Sequence, residues 1–106
     1  MQIATELFKS LVEKSIKGSG RLPQLTITSV VTLEVQDGRI TLTTTDGATN
    51  LVVSDNINTD ETFVAATDSD LLYKLVSKTT TNKITLSITD KELSFVGNGA
   101  YSLPLI

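Results

Sequence analysis

The apolar positions of this chain follow two periods. Between residues 5 and 17, Leu7, Phe8, Leu11, Val12 and Ile16 recur at helical spacing and draw one stripe. Lys9, Ser10, Glu13, Lys14 and Lys17 take the opposite face. Thr5 stands where an N-cap is wanted, Glu6 suits the positive end of the helix dipole, and Gly18 marks a C-terminal stop. A second helical stripe runs through Leu71, Leu72, Leu75 and Val76, with Lys74, Ser77 and Lys78 opposite. Thr67 or Asp68 caps its start, and Asp70 lies in its first turn. Lys74 and Lys78 are one turn apart and so project from the same face.

Almost everything else alternates with period two. Residues 25–35 are rich in Thr, Val and Ile, with Leu25, Ile27, Val31, Leu33 and Val35 in alternation. Asp37-Gly38 is a tight-turn signal leading to a strand over 39–45, and Asp46-Gly47 is a second one leading to 49–54. A polar loop over 55–60 precedes a short strand over 62–65. Beyond the second helix, 83–89 alternates through Ile84, Leu86 and Ile88. Turns at Asp90-Lys91 and Gly97-Asn98-Gly99 separate it from strands over 92–96 and 100–103. With a short first strand over 1–4, the order is strand, helix, three strands, then the same again. The chain reads as one domain, 1–106, built from pseudo-repeats of about 1–55 and 61–106. The helical octets starting at Leu7 and Leu71 align at an offset of 64, with Leu, Leu, Val and Lys in common. This pattern predicts an α+β domain: two amphipathic helices packed on a mostly antiparallel sheet, with an internal βαβββ repeat. The helices would show their polar faces on one side of the protein, and the opposite sheet face would carry much of the acidic excess.

Composition narrows the function. The 106 residues contain no Cys, which excludes disulfides, thiolate catalysis and zinc ribbons, and no His, the usual general base near neutral pH and a common metal ligand. Aromatic residues are 5% with no Trp, against a base-stacking platform for single strands. The longest apolar run is four residues, 63–66, far short of a membrane span. No basic stretch precedes an apolar core at the N-terminus, so the expected location is cytoplasmic. The net charge of −3 is unevenly spread: residues 1–21 carry four basic and two acidic side chains, whereas 22–106 carry five basic and ten acidic.

Three motifs have simpler readings than chemistry. Gly18-Ser19-Gly20 lacks the spacing and the Lys-Ser/Thr pair of a phosphate-binding loop and reads as a helix stop. Asp68-Ser69-Asp70 reads as helix capping rather than a metal pair, and Asp46 as a turn former. No carboxylate pair stands at a cleft-like position, so no enzyme, metal or cofactor is expected.

The arrangement resembles a domain of the DNA sliding clamps, specifically the first domain of the bacterial DNA polymerase III beta subunit. The residues carrying the resemblance are Arg21-Leu22-Pro23-Gln24-Leu25, the run from Val35-Gln36-Asp37-Gly38-Arg39 to Thr45-Asp46, Phe63-Val64-Ala65 entering the second helix, and the close from Leu93 to Pro104. It covers nearly the whole chain but about one third of a typical family chain. Gly47-Ala48 depart from the larger apolar residue and acid that usually follow. The resemblance implies a ring of six such domains, with sheets outside and helices lining a hole around duplex DNA. It implies sequence-independent contact with double-stranded DNA, self-association into the ring, a DNA polymerase and a clamp loader as partners, and no chemistry of its own. Lys9, Lys14, Lys17, Arg21, Lys74 and Lys78 would then be the DNA-binding residues, meeting phosphate without reading bases. From charge alone an ordinary solvated helix face is the preferred reading of these lysines; with the resemblance the two readings are about even for any single Lys, and Glu6 and Glu13 weaken the patch. The family's client-peptide pocket depends on the third domain and is not carried over. Two forms fit: an excised domain, or a minimal clamp closing its ring from six copies. The alternative function is a small clamp-fold adaptor or inhibitor domain, of phage or plasmid origin, that binds a protein.

Overall fold

The computed structural model describes residues 1–16, 30–45 and 50–106. Among them the chain forms β1 (Gln2–Ala4), α1 (Thr5–Ile16), β2 (Val30–Gln36), β3 (Arg39–Thr45), β4 (Asn50–Asn56), β5 (Phe63–Asp68), α2 (Ser69–Lys78), β6 (Lys83–Ile88), β7 (Glu92–Val96) and β8 (Ala100–Pro104). The glycine-rich segment after α1, the Arg21 to Leu25 motif and the turn at Asp46-Gly47-Ala48 lie outside the described residues.

Both halves run strand, helix, three strands, as the alternation predicts. The predicted antiparallel sheet resolves into two four-stranded sheets, ordered β1-β6-β7-β8 and β4-β3-β2-β5. Each half therefore gives its first strand to the other half's sheet. The exchange is symmetric in register: Ile3 pairs with Ile84, and Thr67, its counterpart in the second half, pairs with Val31. Alternation tells which side chains face inward but not which strand lies alongside, so the exchange was not legible from period alone.

The turn between β2 and β3 forms as its residues dictate. Asp37 and Gly38 both take positive φ, 53° and 71°, the backbone of the hairpin turn whose twist matches the flanking strands. Strands β2, β3, β5, β6 and β7 bury alternate residues, among them Leu33, Leu42, Ile84, Leu86, Leu93 and Phe95, and β8 adds Leu103, each essentially inaccessible. Phe8, Leu11 and Val12 of α1 and Leu72 and Val76 of α2 complete this core. Each such side chain contributes about 1.5–3 kcal/mol before entropy costs.

Three local expectations change. Leu71 is 39% exposed, and Ser69 takes its place on the buried line of α2 with Leu72 and Val76. Positions 69, 72 and 76 share one face at helical spacing, and Leu71 falls outside it. Thr5 begins the helix rather than capping it, and its amide donates to the Asn82 carbonyl at 2.9 Å. The acidic excess does not gather on the outer sheet face. Asp37, Asp60, Glu61 and Asp90 lie in turns and loops between strands. The outer face carries hydroxyls, with Ser87, Ser94 and Ser102 in one cross-strand row and Thr32 beside Thr43 in the other sheet, and there the exposed Glu34 and Glu92 are matched by the exposed Arg39 and Lys83.

Candidate nucleic-acid interface

The two helices pack side by side over one shared core. Thr5, the first residue of α1, is hydrogen-bonded to Asn82, four residues beyond the end of α2, so the helices run antiparallel. Because both bury their apolar stripes in the same core, their polar faces form one layer.

Each end of α2 is fixed. The Asp68 carboxylate caps its start, accepting from the amides of Asp70 at 2.9 Å and Leu71 at 3.1 Å. At its end the Thr79 hydroxyl donates to the Leu75 carbonyl at 2.8 Å. The Asn98 side chain adds a clasp from the β7–β8 turn. Its amide donates to the Lys78 carbonyl at 2.9 Å, and its oxygen accepts from the amides of Thr80 at 2.9 Å and Thr81 at 3.2 Å. These contacts satisfy backbone groups that a helix end would otherwise leave bare. The sequence marked Asn98 only as a turn residue; nothing in the pattern indicated its grip on the helix.

Lys74 and Lys78 project from the exposed face of this fixed helix, and Lys14 is exposed on α1. Lys9 is half-buried beside a cleft of about 320 Å³ lined also by Thr5, Glu6, Thr79, Thr80 and Asn82. Lys17 and Arg21 lie outside the described residues. Among the described residues, the lysine ammonium groups of the helices take no part in an ion pair, while Glu6, Glu13 and Asp70 are exposed on the same two helices. The layer thus holds four lysines against three carboxylates on the described helical residues. Such a face can attract phosphate through point charges but offers no rigid fork for reading a base edge. No cluster of carboxylates among the described residues could hold a metal ion, and Asp68 is engaged in its cap. No helix of the described residues is long and apolar enough to cross a membrane.

The fold matches solved structures over its full length. The DNA polymerase III subunit beta sliding clamp of Bartonella birtlesii superposes with a TM-score of 0.87 at 20% identity, covering 100% of this chain and 31% of that one. This is the fold of a sliding-clamp domain. The DNA polymerase III subunit beta of Pseudomonas aeruginosa gives 0.88 at 17% identity, covering 100% of this chain and 30% of that one. The Helicobacter pylori beta clamp bound to a DNA ligase peptide gives 0.87 at 17% identity, again covering 100% and 30%. The chain therefore spans less than a third of the length of these clamps. No family model matches the sequence, and no curated protein sequence matches it. What the clamps share with this chain is architecture, at 17–20% sequence identity.

Proposed function

We propose that this chain is a domain of a DNA sliding clamp, a replication processivity factor, and contributes to a ring that encircles duplex DNA without reading its sequence. The observation that carries the reading is the clamp-domain fold over the whole chain, with Lys14, Lys74 and Lys78 exposed on the helical layer. In a ring with helices inward, these ammonium groups meet phosphate, joined by Lys9, Lys17 and Arg21. Topological linkage needs only weak contacts, so a net charge of −3 is compatible with the role. The ring needs edge-to-edge strand pairing, head to tail, between copies of this domain or with further domains of the same kind. The domain acts in the cytoplasm as a tether for a polymerase, is placed on DNA by a loader, and carries out no reaction itself.

The test is binding to a short linear duplex across a salt series. The reading expects weak binding that falls steeply with salt, and a log–log slope reduced by roughly 2 when Lys74 and Lys78 are both reversed to Glu, at about 0.9 per phosphate contact. A second reading, a clamp-fold adaptor that binds a protein, is favoured by the carboxylates Glu6, Glu13 and Asp70 among the lysines. Under it, the doubly reversed variant keeps its partner.

A further inference from the structure

The internal symmetry of the fold closes one of two equivalent seams by main-chain bonds and the other, among the described residues, only by an ion pair between the Met1 ammonium and the Glu61 carboxylate. Where β5 of one sheet meets the end of β8 of the other, the seam is closed by the chain itself. The Ile106 amide donates to the Ala66 carbonyl at 2.9 Å, and the Thr67 hydroxyl donates to the Pro104 carbonyl at 3.1 Å. The matching seam lies between β1 and the end of β4. The correspondence is fixed by register: Ile57 bonds through its amide to Gly38 at the β2–β3 turn at 2.8 Å, as Leu105 bonds to Lys91 at the β6–β7 turn at 3.0 Å. Asn58 thus stands where Ile106 stands, and Gln2 and Ile3 stand where Ala66 and Thr67 stand. Ile3 has no hydroxyl to give. Among the described residues no backbone bond joins Asn58 to Gln2.

In place of those bonds lies a groove of about 400 Å³, lined by Gln2, Ala4, Leu7, Ile57, Asn58 and Lys83 among others. Its wall is a strand edge with free main-chain groups. Met1 and Leu86 exchange both backbone bonds across the β1–β6 ladder, and Thr5 bonds to Asn82. In an antiparallel ladder alternate residues face away, so Gln2, lying between bonded positions, turns its N–H and C=O outward. Leu7 and Ile57 give the groove an apolar side, both only partly buried against the core. Lys83 is exposed at its border and forms no ion pair among the described residues.

We propose that this groove binds an extended peptide of a partner protein, which adds as a short strand to β1. The occupant has an apolar side chain set between Leu7 and Ile57 and a carboxylate beside Lys83. The closed seam shows the kind of bond involved: Ile106 lies along β5 and donates to Ala66, whereas Ile57 and Asn58 of the chain itself lie along β1 without such a bond and form one wall of the groove that the peptide enters. Main-chain bonds to Gln2 supply affinity and the two flanking pockets supply selectivity. The groove is remote in function from the lysines of the helical layer, so the proposal stands whether or not the chain encircles DNA.

The test is a titration of the isotope-labelled 106-residue chain with a capped peptide, Ser-Leu-Pro-Leu-Ile-Glu, followed by backbone amide resonances. The expected result is saturable shifts at Gln2, Ala4, Leu7 and Asn58. Gln2→Pro removes the outward N–H without touching a ladder bond, since Pro is tolerated at a strand edge, and should weaken binding roughly three- to tenfold. Lys83→Glu should weaken binding of the same peptide while leaving a Gln-ended peptide unaffected. Absence of saturable shifts at these amides in the parent chain, or binding that neither substitution changes, overturns the proposal.

Discussion

The side-chain amide of Asn98 donates to the backbone carbonyl of Lys78 at 2.9 Å, joining the β7–β8 turn to the end of the helix that carries Lys74 and Lys78. The same side chain accepts from two amides just beyond that helix. A single polar residue therefore sets where α2 stops and how its last turn is held. Asn98→Ala should lower stability by about 1–3 kcal/mol, since it strips partners from several backbone groups at once. Urea unfolding followed by circular dichroism checks this, with the midpoint falling and the slope unchanged.

The turn that presents Asn98 is itself tightly seated. A Cβ at Gly97 would lie 2.9 Å from Thr79 Cγ2, and Thr79 is buried. Gly97→Ala should therefore destabilise the protein by about 1–3 kcal/mol through overpacking. Gly97→Ala combined with Thr79→Ser, which removes the obstructing methyl, should recover part of the loss in the same unfolding assay.

Phe95 lies between two rings, 6.5 Å from Phe8 and 6.4 Å from Tyr101 by centroid. It joins the helix α1 to the edge strand β8 through the centre of the core. Phe95→Ala should cost about 3–5 kcal/mol, and Phe95→Leu distinctly less because it leaves a smaller cavity. The comparison of the two variants by thermal unfolding checks that volume, not polarity, is what the site requires.

The exchange of first strands makes each half dependent on the other. A fragment of residues 1–58 lacks β5 beside β2, and a fragment of 59–106 lacks β1 beside β6. Each also loses half of the common core. Both fragments should be unfolded alone by circular dichroism, and the intact chain should unfold in one transition by every probe.

Most of the element boundaries were legible because the chain alternates cleanly. Strands at Arg39–Thr45 and Glu92–Val96 coincide with the alternation, and Asp37-Gly38 forms the turn its residues demand. Two strands run further than their patterns: β4 continues to Asn56 through polar residues, and β5 continues to Asp68, the cap of α2. Backbone pairing with β3 and β2 sustains these polar ends, and hydropathy carries no trace of it. The pairing of Ile3 with Ile84 was equally hidden, because it joins residues from opposite halves of the chain. Of the candidate DNA contacts, helical spacing correctly made Lys14, Lys74 and Lys78 exposed, whereas Lys9 is half-buried and lines a cleft with the residues following α2. That cleft comes from the antiparallel packing of the helices, which a single helix's periodicity does not encode.

The most direct test of the central claim is retention on DNA of different topology. The protein is incubated with closed circular duplex under conditions that permit loading, and half of the sample is then cut at one site before gel filtration at moderate salt. Encirclement predicts co-elution with the circle and loss from the linear form, independent of sequence. Equal retention on both forms would contradict it and leave surface binding as the only link to the duplex.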